Sequence, residues 1–278
     1  MKVQLFAPFL TYPDTSSDFV SGGAVSLAAA IDGELHALAV NADIPDVSNA
    51  LSRILLDTPE MIRKAKALSR NRATYLLGLF RDRAEAAGVA VTTTEVTALP
   101  ELMADAAARH ARYFDVSLVG WETGNATARQ TAEAVIFGSG RPTVLLPVET
   151  TFADIDHVAI AWDGSRVAAR AVADARFLLE RAKRVSVLTV LDEKPLEDED
   201  AGDRLAAALV RQGIAAEALR IHAQDCPIGE TLQRSATERG CDILVMGGYG
   251  HSRLRDFVLG GATQGVLEAL LLPVLLSH

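Results

Sequence analysis

Short apolar runs alternate with longer segments of helical spacing along the whole chain, and the alternation occurs twice. In the first half, strands are expected at Val3 to Leu10, Leu35 to Val40, Val89 to Val96, Val116 to Gly120 and Thr143 to Val148. Between them lie helical segments at about Asp18 to Ile31, Pro59 to Ala87, Leu99 to Tyr113 and Ala128 to Phe137, with a polar crossing through Asp43, Pro45 and Asn49. The second half repeats the plan. Strands are expected at His157 to Trp162, Val185 to Leu191, Leu219 to Ala223, Ile243 to Met246 and Pro273 to Leu276, and helices at Arg166 to Ala182, Ala201 to Gln212, Ile228 to Arg239 and Thr263 to Leu271.

The repeat is visible in residues as well as in plan. Phe114-Asp115-Val-Ser-Leu-Val-Gly120 parallels Cys241-Asp242-Ile-Leu-Val-Met-Gly247, and Arg141-Pro142-Thr-Val-Leu-Leu parallels Leu272-Pro273-Val-Leu-Leu. Two domains follow, 1–148 and 157–278, with Glu149 to Asp156 as linker. Continuous apolar strands alternating with helices predict an α/β fold: an open parallel sheet in each half with helices on both faces.

Composition narrows the class without deciding it. The chain has 278 residues, 49% hydrophobic and 23% charged, and a formal net charge of -9. That balance disfavours a nucleic-acid or anionic-membrane surface, so any phosphate site must be local. Its two cysteines, Cys226 and Cys241, imply no disulfide framework. No apolar stretch approaches ~18 residues without a charge, and the amino terminus is too interrupted for a signal peptide. A cytoplasmic protein is expected.

One stretch carries chemistry. After the strand ending at Met246, glycines fall at Gly247, Gly250, Gly260 and Gly261, and a helix starts with Ala262 and Thr263. Glycine lets a backbone approach a ligand closely, and a helix start presents unpaired N–H groups and partial positive charge to an anion. Glycines at a strand end also serve simply as a tight turn and a cap. The pattern is neither the dinucleotide G-x-G-x-x-G nor a P-loop, which requires a Gly-Lys-Ser/Thr ending.

The spacing Gly247-x2-Gly250-x9-Gly260 resembles the nucleotide signature of the universal stress protein family, G-x2-G-x9-G-[Ser/Thr], with Gly261 in place of the final hydroxyl residue. The resemblance implies two tandem five-stranded units of strand order 3-2-1-4-5 that pack as an internal pseudo-dimer. It implies adenine-nucleotide binding, ATP (with Mg2+ on its phosphates) or AMP, in the second unit. Asp163 would then contact the ribose or base, with Ala161 and Trp162 beside it and Val190 packing on adenine. Met246, Gly247, Tyr249, Gly250, Gly260, Gly261, Ala262 and Thr263 would line the rest. It further implies a stress-responsive sensor or regulator acting on a protein partner, with a further homodimer open.

The first half departs from the signature. Trp121-Glu122-Thr123-Gly124-Asn125 follow Gly120, and the loop is about four residues shorter. An indole and a carboxylate in a phosphate cradle would block and repel an anion, so a degenerate first site is expected.

Several residues admit a plainer role. Asp163-Gly164-Ser165 also reads as a turn and helix cap, and Val190 as core. Arg253, Arg255 and His251 can face phosphate or solvent. His222, Cys226 and Cys241 lack metal-ligand spacing, and the acidic run Asp192 to Asp200 reads as a solvated loop. An ATP-hydrolysing or phosphoryl-transfer enzyme and a ligand-free interaction scaffold are the alternatives. No P-loop lysine or obvious catalytic triad supports the enzyme.

Overall fold

The computed structural model describes residues 2–14, 16–45, 58–192, 200–223, 226–248 and 261–278, with 261–264 described by their backbone path only. The first half runs β1 (Gln4–Leu10), α1 (Phe19–Ala30), β2 (Glu34–Ala42), α2 (Thr58–Ala87), β3 (Val91–Ala98), α3 (Met103–Ala111), β4 (Val116–Trp121), α4 (Ala126–Ser139) and β5 (Thr143–Pro147). The second runs β6 (His157–Ala161), α5 (Arg166–Asp174), α6 (Arg176–Leu179), β7 (Arg184–Val190), α7 (Ala201–Arg211), β8 (Ala216–Ile221), α8 (Ile228–Glu238), β9 (Ile243–Gly247), α9 (Gly261–Glu268) and β10 (Val274–Ser277).

The strands form one ten-stranded sheet in the order β3-β2-β1-β4-β5-β10-β9-β6-β7-β8. Each half has the order 3-2-1-4-5 and is parallel throughout. The halves meet where β10 pairs with β5 antiparallel, Val274 opposite Leu145 and Leu276 opposite Thr143. Each half thereby covers the edge strand the other would leave open to association.

The duplicated aspartates explain themselves here. Asp115 Oδ2 accepts from the Gln4 N–H at 2.9 Å, and Asp242 Oδ2 accepts from the Asp156 and His157 N–H groups, both at 2.8 Å. In both halves the residue before strand 4 ties down the start of strand 1.

The expected linker is packed. Phe152 and Ile155 are buried in an apolar cluster shared by both halves, which includes Val144, Leu146, Val158, Ile160 and Leu275. The Phe152 N–H donates to Ser26 Oγ at 3.1 Å.

Some boundaries differ from the sequence expectation for local reasons. Val89 does not open β3: its N–H closes the end of α2 on the Ala84 carbonyl at 2.9 Å, with Gly88 at φ +68 between them. The segment expected as one helix from Arg166 to Ala182 divides at Ala175. Pro100 begins a short 3-10 turn, so α3 starts only at Met103. The last helix starts at Gly261 and ends at Glu268, earlier than expected.

Candidate functional site

The site expected from the glycines lies at the carboxyl edge of the second half. Strand β6 is flanked by β7 on one side and β9 on the other, with Ile160 opposite Val245 in the β6–β9 pair. The chain leaves β6 toward β7 and later returns to its other side, so the gap between β6 and β9 is a topological switch point, where open α/β sheets bind ligands. That register brings the turn from Ala161 to Ser165 beside Gly247 and Gly248.

The turn after β6 is built from two local bonds. Asp163 Oδ1 accepts from the Ser165 N–H at 3.0 Å, and Ser165 Oγ caps α5 by accepting from the Ala168 N–H at 3.2 Å. Gly164, at φ +76, occupies the left-handed position between them. Asp163 is thus a turn residue that is also exposed at the strand tip.

The expected ligand residues divide between the two faces of the sheet. Ala161, Val190 and Met246 belong to the apolar layer that includes Ile221, Leu232, Val266 and Leu267, under α8 and α9. Trp162 packs on the opposite layer with Val185 and Val187. Its indole N–H donates to the Ala201 carbonyl at 3.0 Å, and its backbone N–H to the Leu188 carbonyl at 2.9 Å. Trp162 therefore anchors the first turn of α7.

Gly247 also faces that side. A Cβ there would stand 2.5 Å from the Val167 carbonyl carbon and 2.6 Å from the Ala168 nitrogen, so α5 packs directly on the glycine backbone. The Gly248 N–H donates to the Ser277 carbonyl at 2.7 Å. Gly261, Ala262 and Thr263 form the first turn of α9. Tyr249, Gly250 and Gly260 lie outside the described residues, as do His251, Arg253, Arg255, Asn49 and residues 193–199 of the acidic run.

The universal stress protein family model matches residues 154–278. This segment belongs to the universal stress protein family. A universal stress protein from Archaeoglobus fulgidus DSM 4304 superposes with a TM-score of 0.67 at 14% identity, over 99% of this chain and 97% of its own. A Pseudomonas aeruginosa UCBPP-PA14 protein, provisionally named a universal stress protein, superposes at 0.53 and 15% identity, over 99% and 92%. At these identities the likeness speaks for the fold, and it spans both halves. No curated protein matches the chain.

The universal stress protein domain is held at its last helix by the other half. The Trp121 indole was expected in a first-half phosphate cradle; instead it is buried across the junction. Its Nε1–H donates to the Leu267 carbonyl of α9 at 3.1 Å, and Thr123 Oγ1 donates to the Glu268 carbonyl at 3.4 Å. From within the domain, Gln233 Nε2 donates to the Ala269 carbonyl, and Gln233 Oε1 accepts from the Leu271 N–H, both at 2.8 Å. Sequence reading missed these roles. The available signal was a tryptophan following Gly120, where the second half has Gly248 after Gly247.

The equivalent crevice of the first half, between β1 and β4, retains only about 10 Å³ of space. Val20 fills it against Gly120, where a Cβ would collide with a Val20 methyl. Glu122 Oε2 closes the mouth, accepting from Ser17 Oγ at 2.9 Å and Asn125 Nδ2 at 3.3 Å.

At the opposite, amino edge of the universal stress protein domain, His157 sits in a buried polar cluster. Its Nε2 lies 2.9 Å from Ser186 Oγ, its Nδ1 lies 2.9 Å from an Arg184 guanidinium nitrogen and 3.2 Å from the Arg239 carbonyl, and Cys241 Sγ stands 3.4 Å from Nδ1. Burial first, and then the Arg184 guanidinium, hold His157 below its ordinary pKa. Burial pushes the Cys241 thiol up to about 11, which keeps it protonated rather than nucleophilic. Among the described residues no three His, Cys, Asp or Glu side chains group to hold a metal, and no helix is long and apolar enough to cross a membrane.

Proposed function

We propose that the universal stress protein domain binds an adenine nucleotide, ATP or AMP, between the tips of β6 and β9, and that the bound state alters a contact with a partner protein. The observation that carries this reading is the adjacency of the Asp163 turn and the Gly247 strand end at the switch point, combined with the Gly247-x2-Gly250-x9-Gly260 spacing. The residue types suit the two ends of such a molecule. Asp163 is an acceptor for ribose hydroxyls or the adenine amine, and Ala161, with the buried Val190 and Met246 in the apolar layer behind it, would back the adenine. The first turn of α9 offers N–H groups to phosphate, and Mg2+ would accompany ATP on its phosphates. We place the two domains at 1–148 and 157–278, with the first carrying no nucleotide, a reading that the filled β1–β4 crevice supports.

In this reading the protein is a regulator with at most slow hydrolysis, since the glycine loop carries no P-loop lysine. Calorimetry with ATP, ADP and AMP, with and without Mg2+, tests it. Binding of one nucleotide per chain, weakened in Asp163→Asn, is the expected result; no binding at millimolar nucleotide overturns it. Multiple turnover of ATP by the purified chain, abolished by a single polar substitution, would favour the enzyme reading instead. A ligand-free scaffold is the second reading, supported by Gly247, whose packing against α5 by itself accounts for a glycine at that position.

A further inference from the structure

We propose that the first half acts as a clamp on α9, through Trp121 and Thr123, and thereby orders the nucleotide site of the second half. The inference rests on the reading of α9 as the phosphate-binding helix.

Helix α9 is short and intrinsically weak. It has eight residues, two of them glycine (Gly261 and Gly265), so it spans about 12 Å. Isolated helices of this length do not persist in water, and glycine lowers their stability further. Its stability must therefore come from contacts made elsewhere. Its carboxyl end leaves carbonyls without intrahelical partners, and donors placed there also complement the negative end of the helix dipole. Trp121 supplies a donor to Leu267 and Thr123 one to Glu268, across 146 and 145 residues of sequence. These are first-half residues gripping the end of α9 opposite its phosphate-facing turn.

Packing continues the connection. Trp121 and Ile136 of the first half share one apolar layer with Leu267 of α9 and with Met246 and Val190 behind the candidate adenine position. The loop that follows Trp121, the last residue of β4, is itself braced, with Asn125 capping α4 by accepting from the Ala128 N–H at 2.9 Å. The β4–α4 loop, which follows strand 4 as the glycine loop does in the second half, thus serves the neighbouring half. Linkage makes the coupling reciprocal: if the clamp orders the anion seat, a nucleotide on that seat must tighten the clamp.

The test uses the full chain and Trp121→Phe, which keeps an aromatic ring and removes the N–H, with Thr123→Val as a second variant should the first misfold. Three readouts are taken: amide hydrogen exchange of 261–268 without nucleotide, calorimetric affinity for ATP and AMP, and exchange of the 121–125 loop with and without nucleotide. In Trp121→Phe, exchange in α9 should accelerate about 10-fold or more while β1–β3 keep their protection. Nucleotide affinity should fall about 5-fold or more. In the unsubstituted chain, nucleotide should slow exchange of the 121–125 loop, which a purely structural contact would not produce. Unchanged α9 exchange in both variants overturns the clamp. Equal nucleotide affinity of both variants and the unsubstituted chain overturns its role at the site. Failure of the unsubstituted chain to bind ATP or AMP sinks the nucleotide reading instead, and α9 exchange then decides the clamp alone.

Discussion

Gly247 and Val167 touch backbone to backbone: a Cβ on residue 247 would lie 2.5 Å from the Val167 carbonyl carbon. Neither atom belongs to a flexible side-chain end, so the clash can be relieved only by moving α5 off the sheet. Gly247→Ala should destabilise the protein by about 1–3 kcal/mol, measured by chemical denaturation. Gly248→Ala is the control, since a Cβ there meets nothing nearer than the Ser277 carbonyl oxygen at 3.6 Å. Equal stability of the two variants would contradict the packing role given to Gly247.

The turn after β6 separates a structural duty from a binding one. Ser165→Ala removes the cap of α5 and should reduce stability by about 1 kcal/mol, with little direct effect on ligand. Asp163→Asn keeps an oxygen for the Ser165 N–H but loses the charge, so stability should hold while nucleotide affinity falls. Calorimetry and thermal melts on the same two variants check this, and the reverse pattern would remove Asp163 from the site.

Acid should weaken the fold from near-neutral pH. His157 is held below its ordinary value of 6.5 by burial first and Arg184 second, while the Arg239 carbonyl, then Asp242 and Glu217, pull the other way. His36 is lowered by burial and then by His110. The unfolded chain therefore takes up protons before the folded one does. The histidine contribution is fully present above pH 6.5 and is lost as pH falls from there through the lower folded values. His157 alone can contribute a slope of at most about 1.4 kcal/mol per pH unit. Denaturation midpoints between pH 7.5 and 5.5 should decline, and His157→Asn should flatten the decline whatever its effect on absolute stability.

The two thiols should label at very different rates. Cys241 is 9% exposed with its pKa raised to about 11, whereas Cys226 is more exposed. At pH 8 only about one Cys241 in a thousand is thiolate. Iodoacetamide should modify Cys226 first in the native protein and reach Cys241 rapidly only after unfolding, as peptide mass mapping would show. Rapid native labelling at Cys241 would mean that the His157 cluster opens readily.

Local pattern carried much of the architecture. Each described strand was legible at least in part from apolar runs, because that periodicity comes from the backbone itself, though β8 runs Ala216–Ile221 where Leu219 to Ala223 was expected. The repeat of Asp115 in Asp242 was visible too, though its purpose, holding the first strand of each half, needed the strand pairing. The candidate site was legible as a glycine spacing and an acidic turn. What local pattern does not supply there is facing. Trp162 turned out to face α7, and Gly247 to lie under α5, because a side chain's face is set by register against strands distant in the sequence.

From the order of its residues alone, this chain determined a duplicated α/β plan and one half whose glycine spacing resembles a nucleotide signature, since strand, helix and turn preferences act over a few neighbouring residues. Only the tertiary structure decided that β5 and β10 join the halves into one sheet, and that Trp121 reaches Leu267 instead of filling its own crevice. Those outcomes depend on partners more than a hundred residues apart. No local preference encodes such a pairing; it arises when buried donors, acceptors and apolar faces must all be satisfied together.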